Sequence, residues 1–396
     1  MSVLNLGIVG LGRGFMLTLP ALRSHPLVRL AAAFDVRAEA IDQFAGEFAA
    51  KGYDSLDALV ADRELDAIYV ATPHELHAEQ TIKALQAGLH VLVEKPMATT
   101  VEECARMVHA AEKAGKVLVV GPSHGFDEPV RTAANLVETG RFGSVRLITS
   151  LNFTDFMYRP RRPEELDDSR GGGVVYSQAA HQIDVIRRIV GQPVTSIRGI
   201  SGNWDASRPS DGAYSALMTF DGGAAASLTY SGYAHYDSDE LVGWVSELGQ
   251  KKDSSRYGEA RRALATLSGE DEVKAKLYRT YGGAKPAPVV KAPHHEHFGF
   301  LLVSCEKADL KVLPTGIEVY ADDKREFIEI APPEIPRAAV VEEFAAAIAG
   351  ERPAVHDGRW GLETMACCNA LIESSRIGAD VEPQKIIHKQ WEKFAR

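Results

Sequence analysis

Leu4-Asn-Leu-Gly7-Ile-Val-Gly10-Leu-Gly12-Arg13-Gly14-Phe15 runs from a short apolar strand into a glycine-rich turn, and the pattern continues as a helix through Leu17 to Leu22. Glycine at position 10 permits a tight turn. Glycine at position 12 lets a pyrophosphate approach the backbone at the helix N-terminus, with Arg13 next to it. The third small residue of such loops would fall at Phe15, which is bulky, so Gly14 is expected to take over the close helix packing. A second apolar strand, Val28 to Phe34, ends at Asp35, about 20 residues beyond the loop, where a carboxylate meets the adenosine ribose of a dinucleotide. That carboxylate favours NAD. Arg37, two residues on, would offset its charge and admit NADP.

Outward from this loop, strands and helices keep alternating. Ala38 to Ala50 is helical, Asp66 to Ala71 is a strand, and Ala78, Ile82 and Leu85 mark one face of a helix that stops at Gly88. Val91-Leu92-Val93 reads as a buried strand, and Thr100 and Glu103 form a capping box for a helix ending at Gly115. Val117 to Val120 is the last strand before Gly121-Pro122. The alternation predicts an α/β fold, with a doubly wound parallel Rossmann sheet over residues 1–122.

Beyond Gly121-Pro122 there is a helix around Glu128 to Glu138. Strand-like runs follow at 145–153, 194–200, 213–220, 224–230, 298–304, 316–320 and 327–330, with few helices between them. They predict a C-terminal α+β domain over 123–396 with a mostly antiparallel open sheet. The polar stretch at about 238–291 reads as an insertion, partly helical over Arg256–Leu267, and helical segments at Arg337–Ala349 and Gly361–Ile377 finish the chain. A sheet covered on one face leaves the other for a partner, so a homodimer or homotetramer through this sheet is expected.

The 396 residues suit two domains, and 45% hydrophobic with 25% charged residues is the balance of a globular protein. A net charge of −10 argues against nucleic acid or an anionic membrane as a partner and leaves a small molecule. None of the four cysteines forms a CxxC pair, no run is long enough to span a bilayer, and no leader is visible, so a cytoplasmic location is expected.

Glu94-Lys95-Pro96 follows directly on the Val91–Val93 run, at the carboxyl end of a strand, where open α/β sheets bind ligands. Proline disfavours the αR conformation at Lys95 and holds the amine extended at the lip of a cleft. Ala71-Thr72-Pro73-His74-Glu75-Leu76-His77 leaves another strand end, so Thr72, Pro73 and His77 are expected along the nicotinamide ribose, with Glu94 and Lys95 beside the cofactor. Taken alone, His77 also reads as a capping histidine or one satisfied in the core. In the second half, Gly171-Gly172-Gly173 leads into a helix carrying Ser177, His181 and Asp184. Spacings of four and three put these on one face, and the glycines suggest close backbone approach to a ligand.

These motifs together, with Gly140-Arg-Phe-Gly143, resemble the Gfo/Idh/MocA oxidoreductases over nearly the whole chain. The resemblance implies that Lys95 and His181 are catalytic. An imidazole titrates near neutrality and takes the proton of an alcohol, while an ammonium in a partly desolvated cleft stabilises the developing alkoxide. Asp184 either orients His181 or is structural. The family pattern carries an aspartate four residues before the helix histidine, where this chain has Ser177.

The loop Tyr158-Arg159-Pro160-Arg161-Arg162-Pro163 suits recognition of carboxylates by Arg159 and Arg161, or else pairs with Glu164, Glu165, Asp167 and Asp168 as a solvated basic loop. With Ser177, it resembles the phthalate dihydrodiol dehydrogenase subgroup, which implies an aromatic cis-dihydrodiol acid as substrate, held by Lys95, Arg159, Arg161, Ser177, His181 and Asp184. Two alternatives stand beside this reading: a sugar or inositol dehydrogenase, and an NAD(P)-binding regulator without turnover. The cluster His294-His295-Glu296-His297 is read as a substrate-loop or oligomer-interface element, and no metal is expected.

Overall fold

In the computed structural model, which describes residues 3–282 and 291–394, the first sheet has six parallel strands. These are β1 (Leu4–Val9), β2 (Val28–Phe34), β3 (Lys51–Tyr53), β4 (Ala67–Val70), β5 (His90–Val93) and β6 (Leu118–Val120), in the order β3-β2-β1-β4-β5-β6. The central strands are almost wholly buried, as expected of strands covered on both faces, which is why they read as continuous apolar runs. Edge strand β3 has no apolar run and was not visible in the sequence.

The helices α1 (Arg13–Ser24), α2 (Ala38–Phe48), α3 (Leu56–Val60), α4 (His77–Gln86) and α5 (Val101–Ala114) alternate with these strands. The capping box at Thr100 and Glu103 is formed, and α5 ends in the left-handed Gly115. Among the described residues, the first compact unit comprises 3–122 together with 270–282 and Ile335–Met365. The described residues 270–282 and 335–365, expected in the second domain, therefore group with the first sheet. Part of the expected insertion, 283–290, lies outside the described residues; its remainder includes short helices at Glu259–Leu264 and Gly269–Leu277.

The second unit is built on eight strands: β7 (Val145–Phe153), β8 (Val194–Gly202), β9 (Ala213–Phe220), β10 (Ala225–Ser231), β11 (Phe300–Cys305), β12 (Ala308–Leu313), β13 (Gly316–Ala321) and β14 (Arg325–Glu329). Their order is β14-β13-β12-β11-β7-β10-β9-β8; β7 and β10 are parallel and every other pair is antiparallel. Helices α6 (Glu128–Glu138) and α7 (Ala180–Val190) pack on one face. Ile148, Ser150 and Asn152 point to that buried side, whereas Leu147, Leu217, Ile200, Tyr320 and Phe327 are exposed.

Candidate active site

In the first unit, Gly10 has φ +91, and a Cβ there would lie 2.7 Å from Thr72. Gly12 is the N-cap of α1 and supplies no side-chain cap, so the helix N-terminus keeps its N–H groups for a ligand. A Cβ at Gly14 would lie 2.8 Å from Glu94 Oε1, so this glycine is what lets α1 pack closely, the role expected of it. Phe15 is fully buried. Burial, followed by the nearby Arg279 and Arg337, depresses the Arg13 guanidinium, so three cations gather at the start of α1. Asp35 accepts hydrogen bonds from the N–H groups of Leu11 (2.7 Å) and Arg37 (3.0 Å). A bare cradle, a helix N-terminus and a carboxylate at the end of β2 fit a nicotinamide dinucleotide.

The second strand end differs from the sequence reading in two places. His77 is fully buried and lies between two loops, with Nδ1 2.9 Å from the Pro96 carbonyl and Nε2 2.9 Å from that of Thr72. It clamps the two loops together, which matches the alternative reading of a histidine satisfied in the core. Burial pushes its pKa down, against the pull of those two carbonyls. Glu94 is also turned inward: beneath Gly14 it accepts a hydrogen bond from Tyr69 Oη (2.5 Å), and burial raises its carboxyl. Lys95, between Glu94 and a cis-bonded Pro96, is half-buried at the end of β5. Thr72 donates to Gln80 Oε1 (2.6 Å), and Pro73 precedes a short helical turn.

In the second unit, the helix expected through Ser177, His181 and Asp184 is broken by a π-turn at Val175–Ala179. Ser177 donates back to the Gly173 carbonyl (2.6 Å). The glycines do allow close approach, but to their own loop: a Cβ at Gly172 would lie 2.7 Å from the Asp167 carbonyl, and one at Gly173 would meet Asp168.

His181 and Asp184 are brought together by a residue absent from the sequence reading. Ser123 Oγ donates to Asp184 Oδ2 (2.6 Å) and lies 3.2 Å from His181 Nδ1, while the Gly125 N–H also donates to Asp184 (3.0 Å). A hydroxyl has one hydrogen. With that hydrogen on the carboxylate, Ser123 accepts from Nδ1–H, and the lone pair of His181 falls on Nε2, the form of a proton acceptor.

Around His181 lies an aromatic row. Its ring centroid is 4.7 Å from that of His124 and 5.2 Å from Phe298; Phe298 stacks on Tyr230 at 6.1 Å, and Tyr230 meets Phe156 at 6.3 Å. The Arg161 guanidinium lies 3.5 Å over Phe156, and Arg161 also donates to the Phe156 carbonyl (2.9 Å). Burial first, and then Arg159 and Arg208, push Arg161 down to about 10. Arg159 pairs with Asp155 (3.1 Å) and Glu247 (3.3 Å), Arg161 lies 3.6 Å from Glu165, and Arg162 pairs with Glu164 (3.1 Å) and Glu165 (3.5 Å), so the loop's arginines are paired within the protein and the expected pairing with Glu164 and Glu165 is present.

His124 Nδ1 lies 2.7 Å from Asp127 Oδ2. Burial lowers its pKa, but Asp127, with Glu296 and Glu247, outweighs this and leaves it raised. One ligand-type atom each from His124, Asp127 and Glu296 lie within 4.8 Å of one another. Of the 294–297 cluster, His295 donates to the Ala331 carbonyl (2.7 Å), and His297 fastens Val245 and Gly299 through its two nitrogens. Those two histidines are internal fasteners, and it is Glu296 and Phe298 beside them that reach the site. The missed residues had a signal: Ser123 and His124 follow the end of β6, the same topological position that singled out Lys95 after β5.

The parallel sheet and its glycine loop are those of an NAD(P)-dependent oxidoreductase of the Rossmann type. Residues 4–122 match the oxidoreductase family with NAD-binding Rossmann fold, and residues 130–245 match the GFO/IDH/MocA C-terminal domain. The chain belongs to the Gfo/Idh/MocA oxidoreductase family. It is 45% identical over 378 residues, 94% of this chain and 95% of the relative, to the 1-carboxy-3-chloro-3,4-dihydroxycyclohexa-1,5-diene dehydrogenase of Comamonas testosteroni. It is 31% identical over 57% of its length to a D-xylose 1-dehydrogenase (NADP(+)) of Haloferax volcanii, of which 68% is covered. A solved chain from Bordetella bronchiseptica RB50 superposes with a TM-score of 0.91 at 39% identity, over 96% of this chain and all of that one.

Proposed function

We propose that the protein oxidises a carboxylated cis-dihydrodiol of phthalate or a similar aromatic acid to the catechol, with NAD as acceptor. The observation that carries this reading is the row from His181 through Phe298, Tyr230 and Phe156 to Arg161. It joins a proton acceptor through successive aromatic contacts to the Arg161 guanidinium, which lies 3.6 Å from Glu165 and would exchange that partner for a substrate carboxylate. A nicotinamide dinucleotide held by the Gly10–Gly14 loop and Asp35 would supply the acceptor for the hydride of the carbinol carbon. His181 takes the hydroxyl proton, and Lys95 stabilises the alkoxide as it forms. The resulting hydroxyketone tautomerises: the adjacent carbon loses its proton, the carbonyl oxygen gains one, and the ring becomes the aromatic catechol. The similarity to a dihydroxycyclohexadiene dehydrogenase supports this substrate class.

Cofactor reduction across cis-dihydrodiol acids, neutral cis-dihydrodiols, sugars and inositols tests the reading. The acids are expected to exceed the sugars in kcat/KM by about 100-fold, the scale of one or two charge-assisted hydrogen bonds. Arg161→Gln is expected to weaken the acids far more than the neutral diols. Equal losses on both, or turnover confined to sugars, would remove it.

We further infer a cytoplasmic homo-oligomer, dimer or tetramer, assembled through the open face of the second sheet. The exposed Leu147, Leu217, Ile200 and Phe327 on that face support the assembly, and four unbridged cysteines with no described helix apolar enough to cross a membrane support the location. Leu217→Lys is expected to shift the sedimentation coefficient towards that of a monomer; a monomeric wild-type chain would refute the assembly.

A further inference from the structure

The first unit contains one segment that its six strands and their helices do not require. Arg279-Thr280-Tyr281 follows the helix Gly269–Leu277 and comes from the inserted stretch, yet it lies on the cofactor side of the Rossmann unit. Tyr281 is buried, its ring 5.6 Å from Phe15, 6.0 Å from Phe44 and 6.5 Å from Phe48. Its N–H donates to the Leu11 carbonyl (3.0 Å) inside the glycine loop, and its hydroxyl donates to Glu47 (2.5 Å) on α2. The segment is therefore fastened to both sides of the turn that receives the adenosine.

Its effect falls on Arg37. A guanidinium has five N–H donors, and here all five are engaged within the protein. Nε donates to Asp35 Oδ1 (2.9 Å), and Nη2 donates to Asp35 Oδ2 (3.2 Å) and to the Leu11 carbonyl (3.0 Å). Nη1 donates to Thr280 Oγ1 (2.8 Å) and to the Tyr281 carbonyl (2.8 Å). The last two acceptors belong to the inserted segment. A 2′-phosphate needs guanidinium donors to outweigh the carboxylate beside it, and the segment takes the two that Asp35 and Leu11 leave.

We propose that Arg279–Tyr281 is a cofactor selector, which holds Arg37 folded against Asp35 so that the adenosine end takes NAD+ and refuses NADP+. Arg279 has a second part in it: with Arg13 and Arg337 it concentrates positive charge where the pyrophosphate shared by both cofactors binds, so it strengthens binding without discriminating. The selector rests on the dinucleotide reading of this site.

Isothermal titration of the whole protein with NAD+ and NADP+ separates the two ideas. Wild type is expected to bind NAD+ about 100-fold more tightly, the size of one or two charge-assisted hydrogen bonds denied to the phosphate. Tyr281→Ala, which loosens the segment, is expected to tighten NADP+ about 10-fold relative to NAD+. Thr280→Val, which removes one acceptor and leaves the aromatic packing intact, should shift the ratio in the same direction by less. In the double variant Tyr281→Ala, Arg37→Ala the gain should vanish, because the freed guanidinium is its source. Equal binding of both cofactors by wild type removes the selector, as does a parallel loss of both in the Thr280 variant or a gain that survives without Arg37. Binding of neither cofactor by wild type removes the dinucleotide reading and the selector with it.

Discussion

Lys95→Ala is expected to lower kcat for cofactor reduction by about 10²–10³-fold while changing the affinity for NAD+ far less. The backbone around Lys95 is fixed from both sides. The Glu94 N–H donates to the Val70 carbonyl (2.9 Å), and the carbonyl of Pro96 faces His77. Glu94 itself is tucked beneath Gly14 and buried, so the half-buried Lys95 is the more accessible charge of the motif. An ammonium held this way gains most when an alkoxide develops, which is a transition-state interaction and therefore appears in kcat. Lys95→Arg retains charge but changes its shape and reach, and is expected to restore only part of the rate. Steady-state kinetics with NAD+ affinity measured separately checks this. An unchanged kcat in Lys95→Ala would rule out the role, and a loss confined to NAD+ affinity would reassign the residue to cofactor binding.

His181→Ala is expected to cost about 10²–10⁴-fold in kcat and to abolish the rising limb of the pH–rate profile. The limb has the sign of a base: turnover needs neutral imidazole, so it falls as acid protonates Nε2 and is flat above. Ser123 supplies a finer test. Its single hydrogen goes to Asp184, so its oxygen receives Nδ1–H of His181 and the ring's lone pair falls on Nε2. Ser123→Ala is expected to slow turnover about 10-fold, the worth of one orienting hydrogen bond, and to displace the limb on the pH axis. Ser123→Thr, which keeps the hydroxyl, should recover the limb. A slowed Ser123→Ala enzyme with an undisplaced limb would make the residue structural only, and an unaltered limb in His181→Ala would move the base elsewhere.

The first unit was legible because its signals are local. A glycine turn, an acidic residue at a strand end and a proline after lysine each act on the residues next to them. What the sequence hid was set by distant pairing. Arg37 looked like a phosphate ligand because its partners, Thr280 and Tyr281, lie more than two hundred positions away. His77 looked like a ribose contact because the carbonyl of Pro96, which closes the clamp, belongs to another strand end. In the second unit, α-helical spacing placed Ser177 with His181, and the π-turn between them undid the count. The histidines at 295 and 297 stood out by chemistry, whereas Phe298 carried the contact with His181.

That π-turn has a mechanical consequence. One residue added to a helix turn rotates everything on one side of it by about 100° relative to the other. The loop carrying Arg159 and Arg161 lies on the N-terminal side, and His181 lies just past the turn. The turn thus behaves as a phase joint: shortening it by one residue would re-aim the arginine loop while the base, tied to Ser123, stays where it is. In the proposed function, the groups that choose the substrate and the base that takes the proton lie on opposite sides of that joint.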